Sequence, residues 1–151
     1  MKSLYSIESL CFSPNGRFLV AGEGSRVRIW SLRDGSSKTL LDGARATFSI
    51  TFSPDGRHIA SVDFSGLLRI WDARTGQLLD TCNSDTQDGV CVAFSPDGKG
   101  LVSGSGDAIL RYWDVSSLAV TKTGRGRVIG GTPGQRFQQI RTFEGHTARN
   151  F

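Results

Sequence analysis

The string Phe52-Ser-Pro-Asp-Gly56, with Leu68-Arg-Ile-Trp71 after it, decides the fold of this chain. Near-copies of both pieces stand before and after it: Phe12-Ser-Pro-Asn-Gly16 with Val27-Arg-Ile-Trp30, and Phe94-Ser-Pro-Asp-Gly98 with Leu110-Arg-Tyr-Trp113. By residue number the phenylalanines recur after 40 and 42 positions, and the tryptophans after 41 and 42. A repeat of this length indicates one structural unit used three times.

Each unit has the pattern of a small antiparallel sheet. Ile50 and Phe52 are two residues apart, as residues on one face of a strand must be. In the Ser-Pro-Asp-Gly turn, proline presets φ and glycine accepts a positive φ, so the chain reverses into a second apolar strand. A third strand ends at the tryptophan, and a polar turn at 72–76 leads to a fourth at 77–81. Four strands at this period predict the blade of an all-β propeller.

The repeats set the expected domain organisation. We expect four-stranded antiparallel blades at about 5–42, 48–82 and 90–143, with a Gly-rich insert at 116–136 that delays the last strand of the third blade. Residues 145–151 would then open a fourth blade. Three blades expose two apolar end faces, which costs about as much as the whole stability of a domain. We therefore interpret the chain as a truncated gene product, with self-association through the open faces as the alternative.

The FSPDG turns, the Arg-Ile-Trp-Asp strand end and Phe143-Glu-Gly-His146 together resemble the WD-repeat β-propeller family over nearly the whole chain. Within it, residues 4–16, Gln87-Asp-Gly-Val90 and the insert look most like the carboxy-terminal propeller of fungal Tup-type, Groucho-related transcriptional corepressors. That resemblance implies a nuclear, non-catalytic scaffold that bridges DNA-bound factors and the silencing machinery. The fold leaves open a second interpretation, a cytoplasmic or nucleolar WD-repeat subunit of a signalling, ubiquitin-ligase or RNA-processing complex.

Members of this family often carry a buried hydrogen-bond chain in each blade, from His after Gly through Ser and Asp to the Trp that ends the third strand. The matching structural candidates here are Ser61, Ser103, Asp107, Trp30, Trp71 and Trp113. Ser65 stands where the second blade would carry the aspartate. Because a buried indole N–H needs an acceptor, we expect Ser61 and Ser103 to be structural, and the remaining blade to use backbone or water.

The family resemblance also implies where partners bind. In a propeller, the loops from second to third strands and the links between blades emerge on one rim, where relatives grip their partners. Seven positions before each tryptophan and four before each first-strand phenylalanine lie six candidate partner-binding residues: Glu8, Glu23, Phe48, Phe64, Val90 and Gly106. Phe48 and Phe64 would give one blade two rim aromatics, a candidate anchor for a peptide segment of another protein. Alternatively, either ring fills a gap between blades.

Charge and motifs indicate binding rather than catalysis. The net charge of +4 is spread along the chain, as on an ordinary solvated surface, so direct nucleic-acid binding is not expected. The sequence lacks a phosphate-binding loop and a nucleophile elbow, and two histidines with three scattered cysteines are too few for a zinc centre. We therefore expect no enzyme, cofactor or metal. The sequence also lacks a membrane-length apolar run and a secretory signal, which favours an intracellular protein.

Overall fold

Each sequence repeat forms one four-stranded antiparallel sheet in which successive strands are neighbours. The computed structural model describes residues 6–41, 46–83, 89–117 and 138–144. In those residues, twelve strands make three such sheets, and no α-helix is present. The expected all-β fold with three four-stranded blades is confirmed. The expected start of a fourth blade at 145–151 lies outside the described residues, as does most of the insert, 118–136.

The strands follow the predicted turns, and most extend a little further than the sequence pattern indicates. The first blade consists of β1 (Ile7–Phe12), β2 (Phe18–Glu23), β3 (Arg26–Ser31) and β4 (Ser37–Leu41). The second consists of β5 (Thr47–Phe52), β6 (His58–Asp63), β7 (Leu67–Asp72) and β8 (Leu78–Asn83). The third consists of β9 (Gly89–Phe94), β10 (Gly100–Ser105), β11 (Ile109–Asp114) and β12 (Gln138–Glu144).

This strand order gives every blade two different edges. Turns from first to second strand and from third to fourth strand lie at one edge, which we call the turn rim; it includes residues 13–17, 32–36, 53–57, 73–77 and 95–99. The turns from second to third strand, at 24–25, 64–66 and 106–108, lie at the opposite edge with the starts of the first strands. We call this second edge the loop rim.

Side-chain hydrogen bonds fix the turns of the turn rim. The Asp55 carboxylate accepts the Arg57 backbone N–H at 3.0 Å and the Ser53 hydroxyl at 2.6 Å. Ser53 Oγ in turn accepts the backbone N–H of His58 at 2.9 Å, and Gly56 adopts a φ of +70°. Asparagine, aspartate and serine are turn residues because they can make such local bonds to the backbone. The Ser-Pro-Asp-Gly string therefore specifies the reversal that aligns the first two strands.

The core lies between blades. One buried cluster joins the first and second blades, and its members are Val20, Val27, Ile29, Ile50, Phe52, Ile59 and Trp71. A second cluster joins the second and third blades, and its members are Ala60, Val62, Leu68, Ile70, Val92, Leu101, Trp113 and Val115. Hydrogen bonds add to this packing, because Ser9 Oγ accepts the Ile50 N–H and Ser49 Oγ accepts the Val92 N–H, both at 3.1 Å. The described residues contain no helix long and apolar enough to cross a membrane.

Burial of His58 predicts a pH-dependent stability. Burial lowers the pKa of His58, and this effect outweighs the opposing charges of Asp55 and Asp72. The unfolded chain therefore binds the proton more tightly, and the free energy of unfolding should fall as the pH drops below about 6.5, until the folded pKa is passed. Urea unfolding of wild type and His58→Gln between pH 7 and 5 checks this. The free energy of unfolding should depend less steeply on pH in the variant than in the wild type. An equally steep pH dependence in both proteins would show that His58 does not cause it.

The outer face of the first blade predicts self-association. Leu10 and Phe12 are 55% and 60% exposed, whereas Ile50 and Phe52, their equivalents in the second blade, are 4% and 6% exposed. Monomeric proteins rarely expose contiguous apolar patches of this kind. Light scattering of the purified chain should therefore show oligomers or aggregates, and Leu10→Ser with Phe12→Ser should reduce them. A monodisperse wild-type monomer at micromolar concentration would contradict the prediction.

Candidate functional site

A β-bulge interrupts the first strand of each blade at the loop-rim position that the sequence indicated. The register shifts between Ile7 and Ser9, which leaves Glu8 without a partner on β2. Equivalent shifts leave Phe48 unpaired in the second blade and Val90 unpaired in the third. A bulge re-aims the side chain of the extra residue. Glu8 and Phe48 are exposed, and the Val90 side chain lies outside the described ones.

Phe48 and Phe64 meet on the loop rim of the second blade. Their ring centroids are 5.6 Å apart, with the ring planes tilted by 41°. They remain 38% and 44% exposed. The backbone N–H of Phe64 donates to the carbonyl of Ala46 at 2.9 Å, which draws the β6–β7 turn against the start of β5. The two rings therefore form one aromatic surface that is open to solvent, and we call it the aromatic pair.

Asp63 holds the turn that carries Phe64. Its buried carboxylate accepts the backbone N–H groups of Ser65 at 2.9 Å and Leu67 at 3.1 Å, and the Ser65 hydroxyl at 2.5 Å. The other carboxylate oxygen accepts Nη1 of Arg69 at 2.6 Å. Burial raises the pKa of Asp63, but the donors outweigh burial and the net shift is downward. The carboxylate therefore stays charged at neutral pH and braces the turn beneath the aromatic pair.

The third blade keeps this arrangement with two residues exchanged. Ser105 stands where the second blade has Asp63, and Asp107 stands where it has Ser65. The Ser105 hydroxyl donates to Asp107, and Arg111 donates to the Asp107 carboxylate at 2.7 Å. The Arg111 hydrogen bond holds the pKa of Asp107 far below its ordinary value. Asp107 thus pairs with Arg111 across the β10–β11 turn.

The prediction that Glu23 contacts a partner is wrong. Its side chain is fully buried, so it offers no surface to a binding protein. Nε of Arg28 lies 3.6 Å from one carboxylate oxygen, and neither oxygen has a hydrogen-bond partner among the described residues. Glu23 therefore belongs to an interior acid–arginine pair.

The error for Glu23 comes from a shorter turn. Glu23 ends β2 as Asp63 ends β6, but the β2–β3 turn has two residues, 24–25, where the β6–β7 turn has three. Because this turn is one residue shorter, counting seven residues back from Trp30 reaches the last residue of β2, whereas the same count in the other two blades reaches the first residue of the turn. Gly24, rather than Glu23, corresponds to Phe64. In the third blade the corresponding residue is Gly106, which is exposed and adds no side chain to the rim.

The tryptophans that end the third strands are buried in all three blades. Nε1 of Trp113 donates to Ser103 Oγ at 2.8 Å. Trp30 and Trp71 are 5% and 1% exposed. Ser61 Oγ, at the equivalent of Ser103, is buried and has no hydrogen-bond partner among the described residues. The serine–tryptophan bond is therefore present in the third blade, and its counterpart in the second blade is not formed through Ser61.

Sequence reasoning missed the recurring acid–arginine pairs. An arginine stands two residues before each tryptophan, at Arg28, Arg69 and Arg111, and each is paired with a carboxylate. That recurrence was visible in the Arg-Ile-Trp string and could have identified them. Among the described residues, no group of three or more His, Cys, Asp or Glu side chains could hold a metal ion. The candidate site is thus the aromatic pair, and acid–arginine pairs support the blades that carry the loop rim.

Comparison with known proteins adds three partial matches. The chain is 36% identical over 63 residues to transcription initiation factor TFIID subunit 5 of Caenorhabditis elegans, which is 40% of this chain and 10% of that protein. It is 35% identical over 72 residues to THO complex subunit 3 of Arabidopsis thaliana, covering 46% and 22%. It is 30% identical over 71 residues to the target of rapamycin complex subunit wat1 of Schizosaccharomyces pombe, covering 45% and 23%. The matches thus span less than a quarter of each relative.

A family model, described as WD domain, G-beta repeat, matches residues 3–31, 35–72 and 76–114. The second and third segments each begin just before the fourth strand of one blade and end with the third strand of the next. A sequence repeat therefore links two neighbouring blades. Proteins built from these repeats generally act as non-catalytic scaffolds for protein–protein interaction. Since the matched segments make up more than half of the sequence, the chain belongs to the WD40 repeat family.

Proposed function

We propose that this chain is a non-catalytic scaffold that binds a peptide segment of another protein at the loop rim of its second blade. The aromatic pair carries this proposal. Its two rings touch each other yet remain more than a third exposed. Interface energy concentrates in a few anchors, in which aromatic residues are enriched. A partner side chain that covers both rings would bury apolar surface that the chain itself leaves open.

Rigidity of the rim supports an anchor role. A bulge directs Phe48 outward, and the hydrogen bonds of Asp63 hold the turn that carries Phe64. A surface that is already ordered loses little conformational entropy on binding. The equivalent rim positions are Glu8 with Gly24 in the first blade and Val90 with Gly106 in the third. Only the second of the three described blades therefore offers two aromatics, which gives the rim a defined point of contact.

The biological role we propose for this scaffold is transcriptional corepression in the nucleus, where it would bridge DNA-bound factors and the silencing machinery. The support is the resemblance of residues 4–16 and 87–90, and of the insert, to the propeller of Tup-type corepressors. A second candidate is a WD-repeat subunit of another assembly. The relatives favour it, because they include subunits of TFIID, of the THO complex and of a target of rapamycin complex.

Peptide selection tests the binding role. A random peptide library is selected on the wild-type chain, and peptides that also bind the Phe48→Ala, Phe64→Ala double variant are removed. We expect a consensus with a large apolar residue to remain, because the aromatic pair is the proposed contact. If every peptide selected on wild type also binds the double variant, so that none remains after the removal step, the proposed site is wrong.

A tethering assay separates the two biological roles. The chain is fused to a sequence-specific DNA-binding domain in fungal cells and placed upstream of a reporter gene. Corepression predicts a several-fold fall in reporter expression that the double variant does not cause. Unchanged expression, with peptide binding intact, would assign the scaffold to a different assembly and remove the corepressor role.

A further inference from the structure

The turn rim contains a cleft between the first and second blades that the proposed function does not use. The cleft has a volume of about 330 Å³. Five apolar side chains line it, Phe18, Ile29, Leu40, Phe52 and Ala73, and two cationic ones, Lys38 and Arg74. The volume is at the lower end of the range for ligand-binding pockets, which commonly combine apolar walls with a few polar groups. The cleft is therefore large enough to accept a side chain from a partner.

A second cleft, of about 380 Å³, lies at the same place between the second and third blades and shows what is special about the first. Its lining includes the carboxylates Asp55 and Asp97 and the bulky Val115. At the repeat equivalents of Asp55 and Val115, the first cleft has Asn15 and Ala73. No carboxylate lines the first cleft, all of whose lining residues are described. The two clefts thus share a position but differ in charge and in shape.

Two aspartates that are close in sequence to lining residues are engaged in their own turns. Asp72 accepts the backbone N–H groups of Arg74 at 3.0 Å and Thr75 at 2.7 Å, and also the Thr75 hydroxyl at 2.9 Å. Asp34 accepts the backbone N–H and the hydroxyl of Ser36 at 3.0 Å and 2.7 Å. Neither aspartate lines the cleft. The charged side chains that line the cleft, Lys38 and Arg74, are therefore both cationic.

Lys38 retains donors for a ligand. Its ammonium group donates one hydrogen bond to the carbonyl of Thr75. An ammonium group has three donors and no acceptor. The Gly76 backbone packs closely against the Leu40 and Lys38 side chains, since a Cβ there would lie 2.8 Å from Leu40 Cδ2 and 3.0 Å from Lys38 Nζ. An anionic group at the cleft would thus meet ammonium N–H donors that no other hydrogen bond to a described residue uses.

We infer that this cleft binds a short acidic segment of another protein, one that inserts a leucine or phenylalanine side chain next to a carboxylate. The apolar lining would bury the inserted side chain, and Lys38 and Arg74 would pair with the carboxylate. Charge complementarity of this kind fixes orientation and speeds association. Because the cleft is on the rim opposite the aromatic pair, the scaffold would have two separate docking points for its partners.

Two synthetic peptides test the inference. One has a central Leu-Phe flanked by three glutamates on each side, and the other has glutamines in place of the glutamates; both carry fluorescein. Fluorescence anisotropy with the full chain should show about tenfold tighter binding of the glutamate peptide, because only it pairs with the cations. Equal affinity of the two peptides, or binding of neither, would overturn the inference.

Variants locate the binding to the cleft. Ala73→Val should weaken binding of the glutamate peptide about tenfold by filling the cleft, and it should fold because valine is buried at the equivalent Val115. Arg74→Glu should weaken it at least as much. Arg17→Glu makes the same charge change at an exposed turn-rim residue outside the cleft and should bind like wild type. Loss of binding in Arg17→Glu equal to that in Arg74→Glu, or unchanged binding in Ala73→Val, would overturn the assignment.

Discussion

Replacing Asp63 with alanine should lower the free energy of unfolding by about 3–5 kcal/mol, because the change breaks a buried ion pair and leaves one partner uncompensated. The Arg69 side chain is largely buried, and its guanidinium would lose the carboxylate 2.6 Å away. The backbone N–H groups of Ser65 and Leu67 would lose their acceptor as well. Since a domain is typically stable by about 5–15 kcal/mol, this one change should remove a large share of the total. Urea unfolding at pH 7 measures it.

Asp107→Ala is the matched comparison. Asp107 has the same arginine partner in the third blade, but its side chain is about a quarter exposed and Arg111 also donates to Ser105 Oγ at 3.2 Å. The loss should be smaller, roughly 1.5–3 kcal/mol, the range for a hydrogen bond to a charged group. If Asp63→Ala costs less than Asp107→Ala, the second-blade carboxylate does not have the structural role assigned to it.

Phe48→Ala and Phe64→Ala should each weaken binding of a loop-rim peptide by about 1–3 kcal/mol, or roughly five- to 150-fold. The two rings are in contact, so removal of either one exposes more of the other and eliminates the apolar surface that they form together. Isothermal titration calorimetry with a peptide from the library selection gives the affinities. Leu32→Ala is the control, since Leu32 is 37% exposed but lies on the turn rim. A loss of affinity in Leu32→Ala as large as in the phenylalanine variants would contradict the location of the site.

The blade architecture could be predicted because several local signals agree. The Ser-Pro-Asp-Gly turns, the alternation of apolar residues and the tryptophan that ends the third strand all indicate the same four-stranded sheet. The burial of Ile50 and Phe52 also follows from the order of the repeats, since their blade packs against the first blade. Consistency between local pattern and overall fold makes such predictions dependable.

The exposure of Phe48 could not be predicted, because simple alternation gives the opposite answer. Phe48, Ile50 and Phe52 are two residues apart, so an ideal strand would place all three on the face that packs against the first blade. The bulge between Thr47 and Ser49 breaks this alternation and re-aims Phe48 toward the rim. No residue in the sequence marks the bulge. The sequence therefore leaves open whether Phe48 is exposed at the rim or fills a gap between blades.

Asp63 was missed because the family pattern directs attention to a single position before the third strand. In the third blade that position holds Asp107, whereas in the second it holds Ser65, and the carboxylate has moved two residues back to Asp63. Both blades have a hydrogen bond from the serine hydroxyl to the carboxylate and a contact from the carboxylate to an arginine, because the serine and the aspartate face each other across the same turn. A pattern of residue types at fixed positions cannot reveal an interaction whose partners have exchanged places.

Thermal unfolding and peptide affinity, measured together on wild type, Phe48→Ala and Phe64→Ala, test the central claim that the aromatic pair is a binding anchor. We predict a five- to 150-fold loss of affinity with little change in melting temperature, because neither ring is needed to fill the core. If the rings instead pack as core residues, truncation should cost about 3–5 kcal/mol of stability. A large fall in melting temperature, with affinity per folded molecule intact, would contradict the claim.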